Sequence, residues 1–325
     1  MGKKDTITKD YMGDRRIFAD VFNYLIYKGR NIIKPENLSS LDTTKIGLPY
    51  GKNGQTAVYQ RYRDVFKVVT AMEDDQAVYL LLGIEDQSEL HYAMPVKNMV
   101  YDALDYAGQV EERAKLHRQT RKESNVKEER ITAGEYLTGF YKRDKLIPVI
   151  TVVVYFGAGK WEAPRHLHEM FELRNETLLA LIPDYKINLI APGEMSEEEI
   201  NQFVTSFREV MLFIKYSKDK TKLSNLISED TRFKALDKRA ARVISIVTGS
   251  ELRIEQDREV IDMCTAIEEM RKDERAAGEK AGMQKGIQQE RCLNQKLLAD
   301  DRITDLRRAV IDDEYREKLL KEYNL

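Results

Sequence analysis

The stretch Ile147 to Phe156, IPVITVVVYF, constrains the fold more than any other part of the chain, because its β-branched residues follow one another without polar alternation. A strand with one wet face alternates polar and apolar residues. A continuous run belongs to a strand covered on both faces, as parallel sheets require. Lys186 to Ala191 (KINLIA) reads as a second such strand. The longest apolar run, Leu146 to Gly157, is about half of a membrane span. The first residues, MGKKDTITKDYMGDRR, lack the apolar core of a signal peptide. These features predict a soluble, cytoplasmic protein with no membrane partner.

Ile17, Phe18, Val21, Phe22 and Leu25 recur at helical spacing and predict a first helix over about Arg15 to Tyr27, ended by Gly29. Between Asn31 and Gln55, Pro35, Gly47, Pro49, Gly51 and Gly54 punctuate a loop with short extended pieces. Two strand-like runs follow, Tyr59 to Ala71 and Ala77 to Gln87, joined as a hairpin through Glu73 to Gln76. Met94-Pro95 then opens a long helix whose predicted buried stripe is Val96, Met99, Val100, Ala103, Leu104, Ala107 and Val110. Helix, hairpin, helix, strand, helix, strand is an α/β order. From Ser196 the text is helical. The expected division is a domain over 1–195, a helical region over 196–270, and a glycine-spaced helical linker with a short helical tail over 271–325.

With 42% apolar and 9% aromatic residues in 325, the chain can fill a core and is not intrinsically disordered. The 53 basic and 55 acidic residues balance to −2, which excludes a uniformly basic nucleic-acid coat protein. Any polyanion must be met locally, and Arg113 to Lys122 offers the strongest cluster: Arg113, Lys115, Arg118, Arg121 and Lys122, with no acid among them. Such a run is either a phosphate-tracking surface or a solvated helix end. Cys264 and Cys292 are far apart and in no CxxC pair, against a disulfide framework or a thiolate zinc site. Gly278, Gly282 and Gly286, spaced by four, weaken their helix by about 1 kcal/mol each. They suit a flexible linker or close helix packing in a homo-oligomer.

The hairpin also carries a geometric expectation. A turn centred between Asp74 and Asp75 pairs positions that sum to 149, which puts Asp64 opposite Glu85. Facing carboxylates about 5 Å apart repel unless a divalent cation sits between them, and hard oxygen donors suit Mg²⁺ or Mn²⁺. Gln87 shares the Glu85 face, while Leu82 and Ile84 point into the core. The same residues could be ordinary strand-end charges in a shifted register.

Asp64 to Tyr101 (DVFKVVTAMEDDQAVYLLLGIEDQSELHYAMPVKNMVY), with FADVFNYL at 18–25 and LIPVITVVVYFGAGKWEAP at 146–164, resembles the recombination-promoting nuclease and putative transposase family of the PD-(D/E)XK nuclease superfamily. The resemblance implies a restriction-endonuclease-like mixed sheet flanked by helices and metal-dependent DNA cleavage at the hairpin. By position it implies that Asp64 and Glu85 hold the metal, helped by the Asp86 carbonyl. Gln87 stands where the wider superfamily has lysine and would orient the attacking water, and Asp20 would be a further helix acid, with Asp14 a weaker candidate. Lys97, on one helix face with Tyr101 and away from the apolar stripe, could replace the missing lysine; the position also suits a solvated first-turn residue. Arg61, Arg63 and Lys67 flank Asp64 and read as strand-surface residues, with phosphate contact the less favoured role. His166-x-His168 reads as structural, and Trp161 as a lid on the core edge. The expected function is a Mg²⁺-dependent DNA endonuclease; the alternative is a DNA-binding or assembly protein that keeps the fold without cutting.

Overall fold

The computed structural model describes residues 3–40, 44–47, 59–62, 64–73, 76–123, 131–172, 175–250, 252, 254 and 258–325. The chain divides into two units, Met1–Met263 and Cys264–Leu325. The fold is mixed α/β, as expected, with a mixed sheet flanked by helices and a helical C-terminal region.

Two helices open the first unit, α1 (Lys3–Met12) and α2 (Arg15–Tyr27). Asp14 caps α2 by accepting the Arg16 N–H at 2.8 Å, and the helix ends where Lys28 and Gly29 turn left-handed at φ 52° and 81°. The sheet then forms from β1 (Leu38–Ser40), β4 (Val65–Glu73), β5 (Gln76–Gln87), β6 (Val149–Tyr155) and β7 (Asn188–Ile190), side by side in that order. The first three run antiparallel, and β5, β6 and β7 are parallel. Val152, Val153 and Val154 are fully buried, which explains the unbroken apolar run of β6. Separate ribbons pair β2 (Thr44–Gly47) with β3 (Tyr59–Tyr62) and β8 (Leu236–Asp237) with β9 (Val260–Ile261).

Paired strand residues share a face. Val65, Lys67, Leu82, Ile84, Val152 and Val154 therefore look toward α2, whose Phe18 ring lies 5.4 Å from the Lys67 ammonium. Glu85, Val153, Gln87 and Tyr155 belong to the other face, where Val153 and Tyr155 pack with Met94 of α3 (Met94–Glu123) and with Trp161.

The docking of α3 differs from the predicted stripe. Met94, Asn98, Tyr101 and Asp105 are its buried residues near the sheet, while Ala103 and Ala107 are exposed. The reason is polar: Asp102 accepts the Thr151 hydroxyl at 2.7 Å, Tyr106 Oη accepts the Val149 N–H at 3.0 Å, and the Gln109 amide both accepts from Ile147 N and donates to Ile147 O. Hydrogen bonds to β6 set the facing side of the helix, so apolar periodicity does not report it. The basic end continues the same helix. Beside it, α4 (Ala133–Thr138) ends at Gly139, φ 72°, where a Cβ would come within 2.7 Å of the Ala114 Cβ.

After the short helices α5 (Glu176–Leu179) and α6 (Glu197–Ile200) come α7 (Phe207–Tyr216), α8 (Lys220–Glu229) and α9 (Lys238–Thr248). Contacts of α9 with both α7 and α1 make residues 196–248 part of the first unit. In the second unit, α10 (Met263–Ala299) stays helical through all three spaced glycines, and α11 (Ile303–Ile311) and α12 (Asp313–Glu322) close a small core of Leu293, Leu297, Ala309 and Leu319. Among the described residues a Cβ at Gly282 or Gly286 would meet no atom within 4 Å, so contacts among them do not require glycine there. No helix among the described residues is long and apolar enough to cross a membrane.

Candidate active site

The hairpin register is the one the sequence predicts: Val65 pairs with Ile84 and Glu73 with Gln76, so positions sum to 149 throughout. One further step sets Glu85 opposite residue 64. The expected continuous strand over Tyr59 to Ala71 is instead two strands with different partners, β3 on β2 and β4 on β5. Asp64 occupies the bend at the start of β4. There its Oδ2 accepts the Asp86 N–H at 2.9 Å, fastening the entry of β4 to the exit of β5. The Glu85 backbone pairs with Val153, while its side chain, those of Arg61 and Arg63, and the turn residues Asp74 and Asp75 lie outside the described residues.

Gln87 is half-buried and donates from Nε2 to the Asp86 carbonyl at 2.7 Å. Both backbone groups of Asp86 are thus engaged by the residues expected to work beside it. Lys97 is half-buried, and its Nζ sits 5.9 Å from the centre of the Tyr101 ring, so the expected shared face is present. Tyr101, however, is buried at 5% exposure rather than turned away from the core.

Burial raises the Asp64 pKa above its usual value; the Asp86 N–H and the charges of Lys97 and Lys9 pull the other way, and Asp5 adds to the rise. A desolvated carboxylate is a costly charge that Lys97 and Lys9 relieve only in part and that a divalent cation would relieve further. Asp64 Oδ1, which has no hydrogen-bond partner among the described residues, and the Asp86 carbonyl are hard oxygen donors of the type Mg²⁺ takes. Among the described residues no three His, Cys, Asp or Glu side chains are grouped to hold a metal. A third donor would have to be Glu85.

Asp20 is elsewhere. It is 4% exposed, and its carboxylate accepts the N–H groups of Val204 and Thr205 and the Thr205 hydroxyl at 2.6–3.1 Å. Those bonds order the approach to α7, and the expected role as a site acid does not match this placement. Asp14 does line a cleft of about 460 Å³, together with Lys9, Asp10, Gly13, Ser40, Asp64, Lys67 and Arg239. Arg239 reaches from α9 to Asp14 at 2.9 Å and to the Asp10 carbonyl at 2.7 Å. Burial would raise the Asp14 pKa, but its hydrogen bonds with Arg16 and the charges of Arg16 and Arg239 hold it below the usual value. Sequence reasoning missed Asp5, Lys9 and Arg239 as neighbours of the hairpin end, and it took Lys67 for a surface residue although only 4% of it is exposed.

On the distal half of α3, Lys115 pairs with Glu111 at 3.3 Å and Arg121 lies 4.9 Å over the Tyr136 ring. Arg113, Arg118 and Lys122 are exposed. The segment is an ordered helix held by His117, which bonds Asp144 at 2.9 Å and stacks on Tyr141. His166 and His168 bind Asp184 Oδ2 and the Ile182 carbonyl within one loop, and Trp161 packs edge-on to Tyr155; both are structural, as expected.

Residues 130–242 match the family model described as putative transposase, YhgA-like. This segment is YhgA-like. It is the family that the sequence resembles, within the PD-(D/E)XK nuclease-like superfamily. The word transposase in that description is said of the family. The YhgA-like segment covers about a third of the chain, including β6, β7 and the first turn of α9, and leaves out the hairpin of β4 and β5. No curated protein and no solved structure matches the chain.

Proposed function

We propose that the chain is a metal-dependent DNA endonuclease that hydrolyses phosphodiester bonds at the open end of the β4–β5 hairpin. The observation that carries this reading is the junction itself: the register aligns Glu85 with residue 64, Asp64 is bonded to the Asp86 N–H, and Lys97 lies close enough to act on the Asp64 charge. Asp64, Glu85 and the Asp86 carbonyl would hold Mg²⁺ or Mn²⁺, which when bound polarises a phosphoryl oxygen and acidifies a water.

The protein groups have separate tasks. The bond from the Asp86 N–H fixes the Asp64 carboxylate before substrate arrives, so little reorganisation is left for the reaction. Gln87, anchored through Nε2 on the Asp86 carbonyl, keeps its oxygen as an acceptor to orient the attacking water. Lys97 offsets negative charge that grows on the phosphate. Arg113, Lys115, Arg118, Arg121 and Lys122 lie along the same helix; the rise per residue puts Arg118 roughly 30 Å from Lys97, close to one duplex turn. Contacts there would add sequence-independent, salt-dependent affinity.

The test is conversion of supercoiled plasmid with Mg²⁺ by wild type beside Glu85→Ala. Loss of nicking in the variant supports the reading; equal nicking points to a contaminant. One observation favours DNA binding without cutting: Gln87, which replaces the motif lysine, turns its only donor group onto the backbone. In that case a labelled duplex would be retained and never cut.

A further inference from the structure

Lys67 presents a problem of physical chemistry. Its side chain lies on the α2 face of the sheet, almost wholly buried, yet among the described residues its ammonium has one hydrogen-bond acceptor, Ser40 Oγ at 3.3 Å, and forms no ion pair. An ammonium has three donors to satisfy, and a buried cation without an anion is costly. The Phe18 ring face at 5.4 Å offsets only part of that cost. Burial, followed by the charge of Arg15, pushes the Lys67 pKa down, and Asp14 only partly opposes this.

The cleft lining balances Lys9, Lys67 and Arg239 against Asp10, Asp14 and Asp64, so the pairing within it decides what Lys67 meets. Lys67 lines the same cleft as Lys9 and Asp64. The other two carboxylates there, Asp10 and Asp14, already share Arg239, and Asp14 also binds Arg16. With those pairs set aside, the lining leaves Lys67 and Lys9 with the single carboxylate of Asp64, while from outside it Arg15 acts on Lys67 and Asp5 on Asp64. Two ammonium groups against one carboxylate suit an anion as the further partner.

We propose that this cleft seats a phosphate group, held by Lys67 and Lys9. The seat rests on the nuclease reading for the source of its ligand: Lys67 and Gln87 belong to opposite faces of the sheet and Asp64 borders the cleft, so the phosphate is a neighbour of the scissile one on the bound strand. A nucleic-acid phosphodiester and a free phosphate compound share the chemistry, and two probes separate them.

The full-length protein is titrated in EDTA, where no cutting occurs, with inorganic phosphate followed by ³¹P line broadening and with a labelled duplex of about 20 base pairs followed by anisotropy at several salt concentrations. Lys67→Met should abolish phosphate broadening, weaken duplex binding by about tenfold, and lower the salt slope by about 0.9, the value for one lost phosphate contact. Lys9→Gln, at a half-exposed position, should weaken both in the same sense and decides the matter if Lys67→Met does not fold. Unchanged binding of both probes by the variants overturns the seat, as does a wild type that takes up neither. Phosphate uptake that depends on Lys67, without duplex affinity, upholds the seat with a free phosphate compound as ligand and overturns the nuclease reading.

Discussion

Replacing Asp20 separates a structural carboxylate from a catalytic one. Its oxygens receive the Val204 and Thr205 N–H groups and the Thr205 hydroxyl, all within 3.1 Å. A hydrogen bond to a charged group is worth about 1.5–3 kcal/mol, and the two backbone donors would be orphaned in Asp20→Ala. The Thr205 hydroxyl can rotate to another acceptor. With partial rehydration of this loop, the expected loss is about 3–5 kcal/mol. At roughly 2–4 °C per kcal/mol for a unit of this size, the unfolding midpoint of the first unit should fall by about 6–20 °C. Asp20→Asn keeps one acceptor and should lose about 1–2 kcal/mol. Scanning calorimetry gives the midpoints, and cleavage per folded molecule is measured below them. A midpoint within about 2 °C of wild type in Asp20→Ala, combined with lost cleavage, would refute the reasoning and return Asp20 to the site.

Other perturbations test the remaining parts. Because burial raises the folded-state pKa of Asp64, its charged form destabilises the fold above that pKa and the penalty vanishes below the ordinary value of 3.8. Asp64→Asn should therefore melt higher than wild type at pH 7 without metal, with the gap closing toward pH 4; a lower midpoint at pH 7 counts against the site geometry. Arg239→Ala should cost about 1–2 kcal/mol in urea unfolding by freeing Asp14 and Asp10. The depressed Asp14 pKa makes that contribution present above its ordinary value and lost as pH falls through the folded value, so wild type and variant should converge in acid. The double change Arg118→Ala, Lys122→Ala should weaken duplex binding regardless of sequence and reduce the salt slope by about 1.8, and an unaltered slope would remove this end of α3 from the DNA surface.

What was legible in the sequence followed strong local period. The unbroken run of β6 announces a strand covered on both faces, and the turn acids fix the hairpin register that aligns Glu85 with residue 64. Helix α1 leaves little trace, since among the described side chains of its KKDTITKDYM only Thr8, Tyr11 and Met12 are buried, too few for a stripe. The apolar stripe of α3 does not report its facing side, because Asp102, Tyr106 and Gln109 dock the helix by hydrogen bonds. Lys67 looks like a surface residue in the strand until Phe18 of α2 covers it. The partners of Asp20 come from Val204 and Thr205, a separation no local pattern spans.

The central claim is that Asp64 and Glu85 act together in metal-dependent DNA cleavage. Its most direct test is the initial rate of cutting of a labelled duplex across a Mg²⁺ titration for wild type, Asp64→Asn and Glu85→Gln, with thermal midpoints recorded on the same preparations. The account predicts a rate that rises with Mg²⁺ in the wild type, vanishes in EDTA, and is absent from both variants although they remain folded. Cleavage by either variant at the wild-type rate, or cleavage indifferent to the metal, would contradict it.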